Sequence, residues 1–132
     1  MIKRLEHVSV VVKDLDAAIR LWEALLDVKA SPVRLLPTVK LAMLNLPGGA
    51  YVELVEPVSP ESASAQFLAK HGEGIHHIGF EVDDTDAELA RCAKAGAELI
   101  TQKSRPALDY LIGFLRPSPG SDVTIEFLQK VK

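Results

Sequence analysis

His7-Val8-Ser9-Val10-Val11-Val12-Lys13-Asp14-Leu15-Asp16-Ala17 and His77-Ile78-Gly79-Phe80-Glu81-Val82-Asp83-Asp84-Thr85-Asp86-Ala87 are two versions of one pattern. In each, a histidine opens an apolar run of strand character, and the run ends in an acidic turn suited to starting a helix. Each half of the chain then closes on a glutamate set in an apolar strand: Tyr51-Val52-Glu53-Leu54-Val55 and Val123-Thr124-Ile125-Glu126-Phe127-Leu128. The two histidines are 70 residues apart and the two glutamates 73. Near-equal offsets across whole modules are the mark of a duplication with a small insertion.

The order of elements repeats around these landmarks. Leu5–Val12 alternates as a strand. Asp14 or Asp16 can cap a helix on which Ile19, Trp22, Leu25 and Leu26 form an apolar stripe. Pro32 and Pro37 punctuate a short extended piece, Val39–Leu46 reads as a strand, Pro47-Gly48-Gly49 as a turn and Ala50–Glu56 as the next strand. The connector, residues 58–74, carries a short helix, with Ser59-Pro60 as cap and first turn and Gly72 as its stop. The second round follows with strand Ile75–Val82, helix Asp84–Ala95 ended by Gly96, and an extended piece at 98–101. Strands Tyr110–Leu115 and Val123–Leu128 complete it. The expected fold is therefore α+β, with two tandem βαβββ modules (about 1–57 and 75–132) in a single domain. Its sheets form a cup around a metal site, with the helices outside.

Bulk properties narrow the function. A chain of 132 residues that is 48% hydrophobic can bury one good core. A net charge of −3, with mixed signs along the chain, gives no polyelectrolyte signature, so nucleic acid is not an expected partner. The single cysteine, Cys92, excludes an intrachain disulfide and suits a reducing compartment. Glu6 and His7 interrupt the short apolar start, which fits neither a signal peptide nor a membrane span. The expected location is the cytoplasm.

Side chains alternate along a strand, so parity decides where the four landmark residues point. Val8, Val10 and Val12 share one face, and His7 and Ser9 the other. Ile78, Phe80 and Val82 oppose His77, Gly79 and Glu81. Glu53 lies opposite Val52 and Leu54, and Glu126 opposite Ile125 and Phe127. All four landmarks thus fall opposite the most apolar stripe of their strand. Taken singly, each has an ordinary structural reading. Together, at repeated register, two imidazoles and two carboxylates suit zinc, cobalt, nickel, manganese or iron and leave positions for substrate. His76 shares the apolar face with Ile78 and Phe80 and reads as structural.

These residues give the chain a clear likeness. It resembles the vicinal oxygen chelate (glyoxalase/bleomycin resistance) superfamily, and within it the methylmalonyl-CoA epimerase family. The segment Gln66-Phe67-Leu68-Ala69-Lys70-His71-Gly72-Glu73-Gly74-Ile75-His76-His77-Ile78-Gly79-Phe80-Glu81-Val82-Asp83-Asp84 carries most of the likeness, which extends over the whole chain. It implies His7, Glu53, His77 and Glu126 as ligands of a divalent metal (Co, Zn, Ni or Mn). The implied chemistry is proton transfer at the carbon alpha to a thioester carbonyl through a metal-stabilised enolate, with Glu126 as one acid/base. The implied substrate is methylmalonyl-CoA or a related acyl-CoA, and the implied assembly a homodimer.

The chain departs from that family in two loops. A glycine-rich stretch is replaced by Arg105-Pro106-Ala107-Leu108-Asp109-Tyr110, and a His-Pro-Lys by Arg116-Pro117-Ser118. These changes leave the acyl group and its carrier open. The third strand offers no carboxylate as second proton carrier. Lys40 is its ionisable residue and the second candidate catalytic group, against an ordinary reading as a solvated lysine. Arg34, Lys103, Arg105 and Arg116 could contact phosphate or carboxylate, although surface charge is the simpler reading. Three other readings share the fold. A glyoxalase I-type lyase has the same ligand types, but the connector favours the epimerase. Glu53 as a fourth ligand argues against an extradiol-type dioxygenase, and the ligand set argues against a metal-free binding protein.

Overall fold

The computed structural model describes residues 1–131. The elements run β1 (Ile2–Val11), α1 (Leu15–Leu26), β2 (Arg34–Leu35), β3 (Val39–Asn45), β4 (Tyr51–Pro57), α2 (Ala63–His71), β5 (Gly74–Val82), α3 (Thr85–Lys94), β6 (Glu98–Leu99), β7 (Arg105–Ala107), β8 (Tyr110–Arg116) and β9 (Thr124–Lys130). The class is the expected α+β, with mixed parallel and antiparallel pairing. The chain forms two compact units, one of residues 7–76 and one of residues 1–6 with those from His77 onward.

In the unit of residues 7–76 the strand order is β2-β3-β4-β1. Strands β1 and β4 are parallel, with His7 opposite Tyr51 and Ser9 opposite Glu53. Strand β3 runs antiparallel to β4 and places Met43 opposite Glu53. Val10, Val12, Leu15, Leu44 and Leu54 form the core, with Ala18, Ile19 and Trp22 of α1 packed on it. Fully burying an aliphatic side chain contributes about 1.5–3 kcal/mol, so this apolar face seats α1. Asp14, not Asp16, is the N-cap and accepts from the Ala17 amide at 3.1 Å. Two further carboxylates brace the entry, Glu73 accepting from Lys13 N (2.8 Å) and Glu56 from Leu15 N (2.7 Å).

The buried stripe of α1 is Leu15, Ala18, Ile19 and Trp22, at the i, i+3, i+4, i+7 spacing of one helix face. Leu25 and Leu26, expected in that stripe, are 69% and 39% exposed. The reason lies at the helix end. Asp27 adopts a left-handed conformation (φ 56°) and turns the chain, so Val28 and Ala30 complete the packing instead. The connector helix α2 also begins later than expected. Ser62 caps it, accepting from Ala65 N at 3.0 Å, while Ser59 closes the preceding turn through its carbonyl to Ser62 N at 3.3 Å.

In the second unit, residues 2–6 of β1 begin the order β1-β5-β9-β8-β6, with β7 also on β8. Strands β5 and β9 are parallel, with His77 opposite Thr124 and Gly79 opposite Glu126. Strand β8 is antiparallel to β9 and sets Phe114 opposite Glu126. The core is Val82, Leu89, Leu115 and Phe127. Helix α3 is capped by Asp84, which accepts from Ala87 N at 3.0 Å. The helix lies so close to β8 that a Cβ on Gly113 would stand 2.8 Å from Leu89 Cδ1.

Strand β7 was not expected, because proline lacks the amide a strand ladder uses. Pro106 is nevertheless paired in a three-residue strand against β8. A two-residue hairpin loop makes this possible, with Leu108 at φ 54° supplying the positive backbone angle that such turns need. Leucine in that conformation costs about 1–2 kcal/mol.

Candidate metal centre

Each unit presents an imidazole on its first long strand and a carboxylate on the strand parallel to it. In the second unit the pair is in direct contact. His77 Nε2 lies 3.2 Å from Glu126 Oε1, with the side chains 11% and 8% exposed. The register explains the contact: Glu126 is opposite Gly79, two residues along β5 from His77 on the same face. Phe114, opposite Glu126 on β8, meets the His77 ring edge to face at 5.6 Å and 85°.

In the unit of residues 7–76 the register is identical, since Glu53 is opposite Ser9, two residues along β1 from His7. The packing differs. His7 is buried at 3% exposure and stacks on Tyr51, with ring centroids 5.0 Å apart and planes inclined by 13°. Glu53 is half-buried. Ser9 and Met43 stand opposite it on the neighbouring strands and Tyr51 and Val55 flank it along β4, with Ser9 and Val55 buried.

The donor chemistry fits a divalent cation. Two donors about 2.1 Å from one ion, and roughly 100° apart at it, stand about 3.2 Å from each other. The His77–Glu126 separation has that value.

Lys40 stands elsewhere. It is opposite Glu56, on the other face of β3 from Met43, and its ammonium lies 3.7 Å from the Glu56 carboxylate that braces Leu15. His76 meets the Phe67 ring at 5.2 Å in a T-shaped contact. Arg116 pairs with Glu98 at 3.4 Å.

Three residues of the two faces escaped the sequence reading. Glu6 is 1% exposed, and the Tyr110 phenol donates to it. Burial first, then that hydrogen bond and the charges of Glu6 and Glu81, push the phenol up to about 12. Nearby, Arg4 Nε donates to Glu81 Oε1 at 2.8 Å. The available signal was a glutamate directly before His7 in an otherwise apolar run. The other two, Tyr51 and Phe114, were legible only as strand aromatics, because their partners depend on register.

Known proteins share this arrangement of the chain. Residues 6–114 match the profile of the Glyoxalase/Bleomycin resistance protein/Dioxygenase superfamily. The ethylmalonyl-CoA/methylmalonyl-CoA epimerase of Cereibacter sphaeroides is 36% identical over 103 residues, 76% of either chain. The mitochondrial methylmalonyl-CoA epimerase of Homo sapiens is 31% identical over 130 residues, 96% of this chain and 73% of the human one. Among solved structures, a variant of the Streptomyces coelicolor methylmalonyl-CoA epimerase in complex with 2-nitronate-propionyl-CoA superposes with a TM-score of 0.83. It is 30% identical, and the match covers 98% of this chain and 96% of that one.

Proposed function

The chain belongs to the glyoxalase/bleomycin resistance protein/dioxygenase superfamily as a methylmalonyl-CoA epimerase-like isomerase, and on that premise we propose that it is a metal-dependent acyl-CoA epimerase. Methylmalonyl-CoA or a closely related acyl-CoA is its substrate. In this reading His7, Glu53, His77 and Glu126 would hold the cation, as the family likeness implies, and the two modules act as one domain. A divalent ion there (Co, Zn, Ni or Mn) would stabilise negative charge developing on the substrate's oxygens.

The chain's own chemistry centres on Glu126. Its carboxylate takes the proton from the carbon alpha to the thioester, and the C–H electron pair moves toward the carbonyl oxygen. A second acid on the opposite face then gives its own proton to that carbon and inverts its configuration, while Glu126 keeps the proton it took. Contact with His77 and low exposure hold Glu126 in one orientation, which favours transfer through proximity. Lys40 is assigned to its ion pair with Glu56 rather than to proton transfer. The proposed assembly is the homodimer that the family likeness implies, and the proposed location is the cytoplasm, from the single cysteine and the short interrupted apolar start. No helix among the described residues is long and apolar enough to cross a membrane.

The buried His77–Glu126 pair at 3.2 Å is the observation that carries the proposal. The test is to load the apo chain with Co(II), remove excess metal, and measure interconversion of the two 2-epimers of methylmalonyl-CoA. One ion per chain and metal-dependent interconversion are expected. A fully loaded chain that leaves either epimer unchanged would refute this substrate assignment.

A further inference from the structure

Two aromatic side chains that the proton-transfer reading leaves without a role lie against its two imidazoles. Tyr51 is directly opposite His7 in the parallel β1–β4 pair. Its ring stacks on the imidazole at 5.0 Å and 13°. Phe114 reaches His77 from the antiparallel β8–β9 pair, meeting it at 5.6 Å and 85°. Both separations lie in the range of attractive ring pairs.

The geometry suits a ligand. The donor lone pair of an imidazole nitrogen lies in the ring plane, so a partner on the ring face does not itself occupy that edge. The torsion that rotates an imidazole about its Cβ–Cγ bond is soft and broad. A face-on ring converts that soft torsion into a defined plane. His7, at 3% exposure, is held in this way by a residue whose position the strand register fixes.

We propose that Tyr51 is a positioning residue that fixes the plane of the His7 imidazole for metal binding, with Phe114 as the weaker counterpart at His77. This rests on the metal-site reading above. The contact that matters is the ring and not the hydroxyl.

The test is calorimetric titration of the apo full-length chain with Co(II) alone, read together with the visible absorption of the bound ion. Wild type, Tyr51→Phe, Tyr51→Leu and Phe114→Leu are compared. Outer contacts of metal-bound histidines typically contribute 10- to 100-fold in affinity. Tyr51→Leu is expected to weaken Co(II) binding about 10-fold or more and to shift the absorption band, and Tyr51→Phe to preserve both. Phe114→Leu should weaken binding less than Tyr51→Leu. In apo wild type and Tyr51→Phe, the His7 ring protons should show an upfield ring-current shift that Tyr51→Leu removes.

A packing role alone would lower the melting temperature of Tyr51→Leu and leave affinity and band unchanged, which overturns the proposal. Should Tyr51→Leu not fold, Tyr51→Phe decides: a large loss of affinity there assigns the effect to the hydroxyl and overturns it too. Wild type that takes up no Co(II) refutes the metal reading itself, and this proposal with it. Equal binding by wild type and Tyr51→Leu refutes the positioning role alone.

Discussion

The two modules carry the same imidazole–carboxylate pair at the same register, yet they pack it differently. His77 and Glu126 touch, both side chains are nearly buried, and the Phe114 ring stands perpendicular to the imidazole. His7 instead lies face to face with Tyr51, and its module's carboxylate, Glu53, is half-buried. Strand parity preserves direction in both, since a one-residue slip would turn each of these side chains to the other face. Burial and ring contacts are free to change residue by residue. Under the proposed function, that difference goes with proton transfer in the second module and metal support in the first.

The largest expected effect tests that division. Glu126→Gln should lower turnover at least about 100-fold, the range of a lost general base, while Glu53→Gln, assayed with the metal site loaded, should lower it less. Parallel kinetics and metal titrations of the two variants check this, and equal losses would erase the division. His77→Ala should abolish both metal binding and turnover. His76→Ala, next to it on the other face, should mainly lower the melting temperature through its Phe67 contact.

A smaller effect separates the two helix–sheet interfaces. Ala42 on β3 and Gly113 on β8 occupy matching positions, each one residue before the residue opposite the module's glutamate. Ala42 is fully buried, so the first module accommodates a methyl there. In the second, Leu89 and Thr85 of α3 fill that space. Gly113→Ala should destabilise by about 1–3 kcal/mol through overpacking, and denaturant unfolding measures it. An unchanged midpoint would mean that α3 moves aside freely.

The smallest effect concerns a tie in the second module. Asp86 accepts from Ser104 N at 2.7 Å and Ser104 Oγ at 2.8 Å. Those two hydrogen bonds hold its carboxyl below the ordinary value of 3.8. A carboxyl lowered in the folded state contributes its stabilisation above the unfolded value, and the contribution fades as pH falls through the folded one. Asp86 is solvent-exposed, so only a local effect is expected. Amide exchange at Ser104 should rise as pH drops below 3.8 relative to an Asp86→Asn control. Identical profiles would show that the tie does not order the loop.

The sequence made the modules, the parity of the four landmark residues and the acidic turns that start α1 and α3 legible, because each depends on local spacing, while the choice of Asp14 over Asp16 as cap was left open. It misplaced what depends on chain direction beyond an element. Leu25 and Leu26 left the core because Asp27 turns the backbone, and β7 formed across Pro106 because Leu108 accepts a positive φ. The Lys40–Glu56 pairing and the ring contacts of Tyr51 and Phe114 required the register, which spacing alone does not specify. Glu6 was hidden because a carboxylate in a strand ordinarily faces water, and here Tyr110 satisfies it in the interior.

The most direct measurement is proton NMR of methylmalonyl-CoA in deuterated water with Co(II)-loaded wild type, loaded Glu126→Gln and the apo chain. The account predicts rapid loss of the alpha-proton signal with loaded wild type, and exchange slowed at least about 100-fold with Glu126→Gln. With the apo chain the signal should persist. Exchange at equal rates in all three, or none from fully loaded wild type, would contradict it.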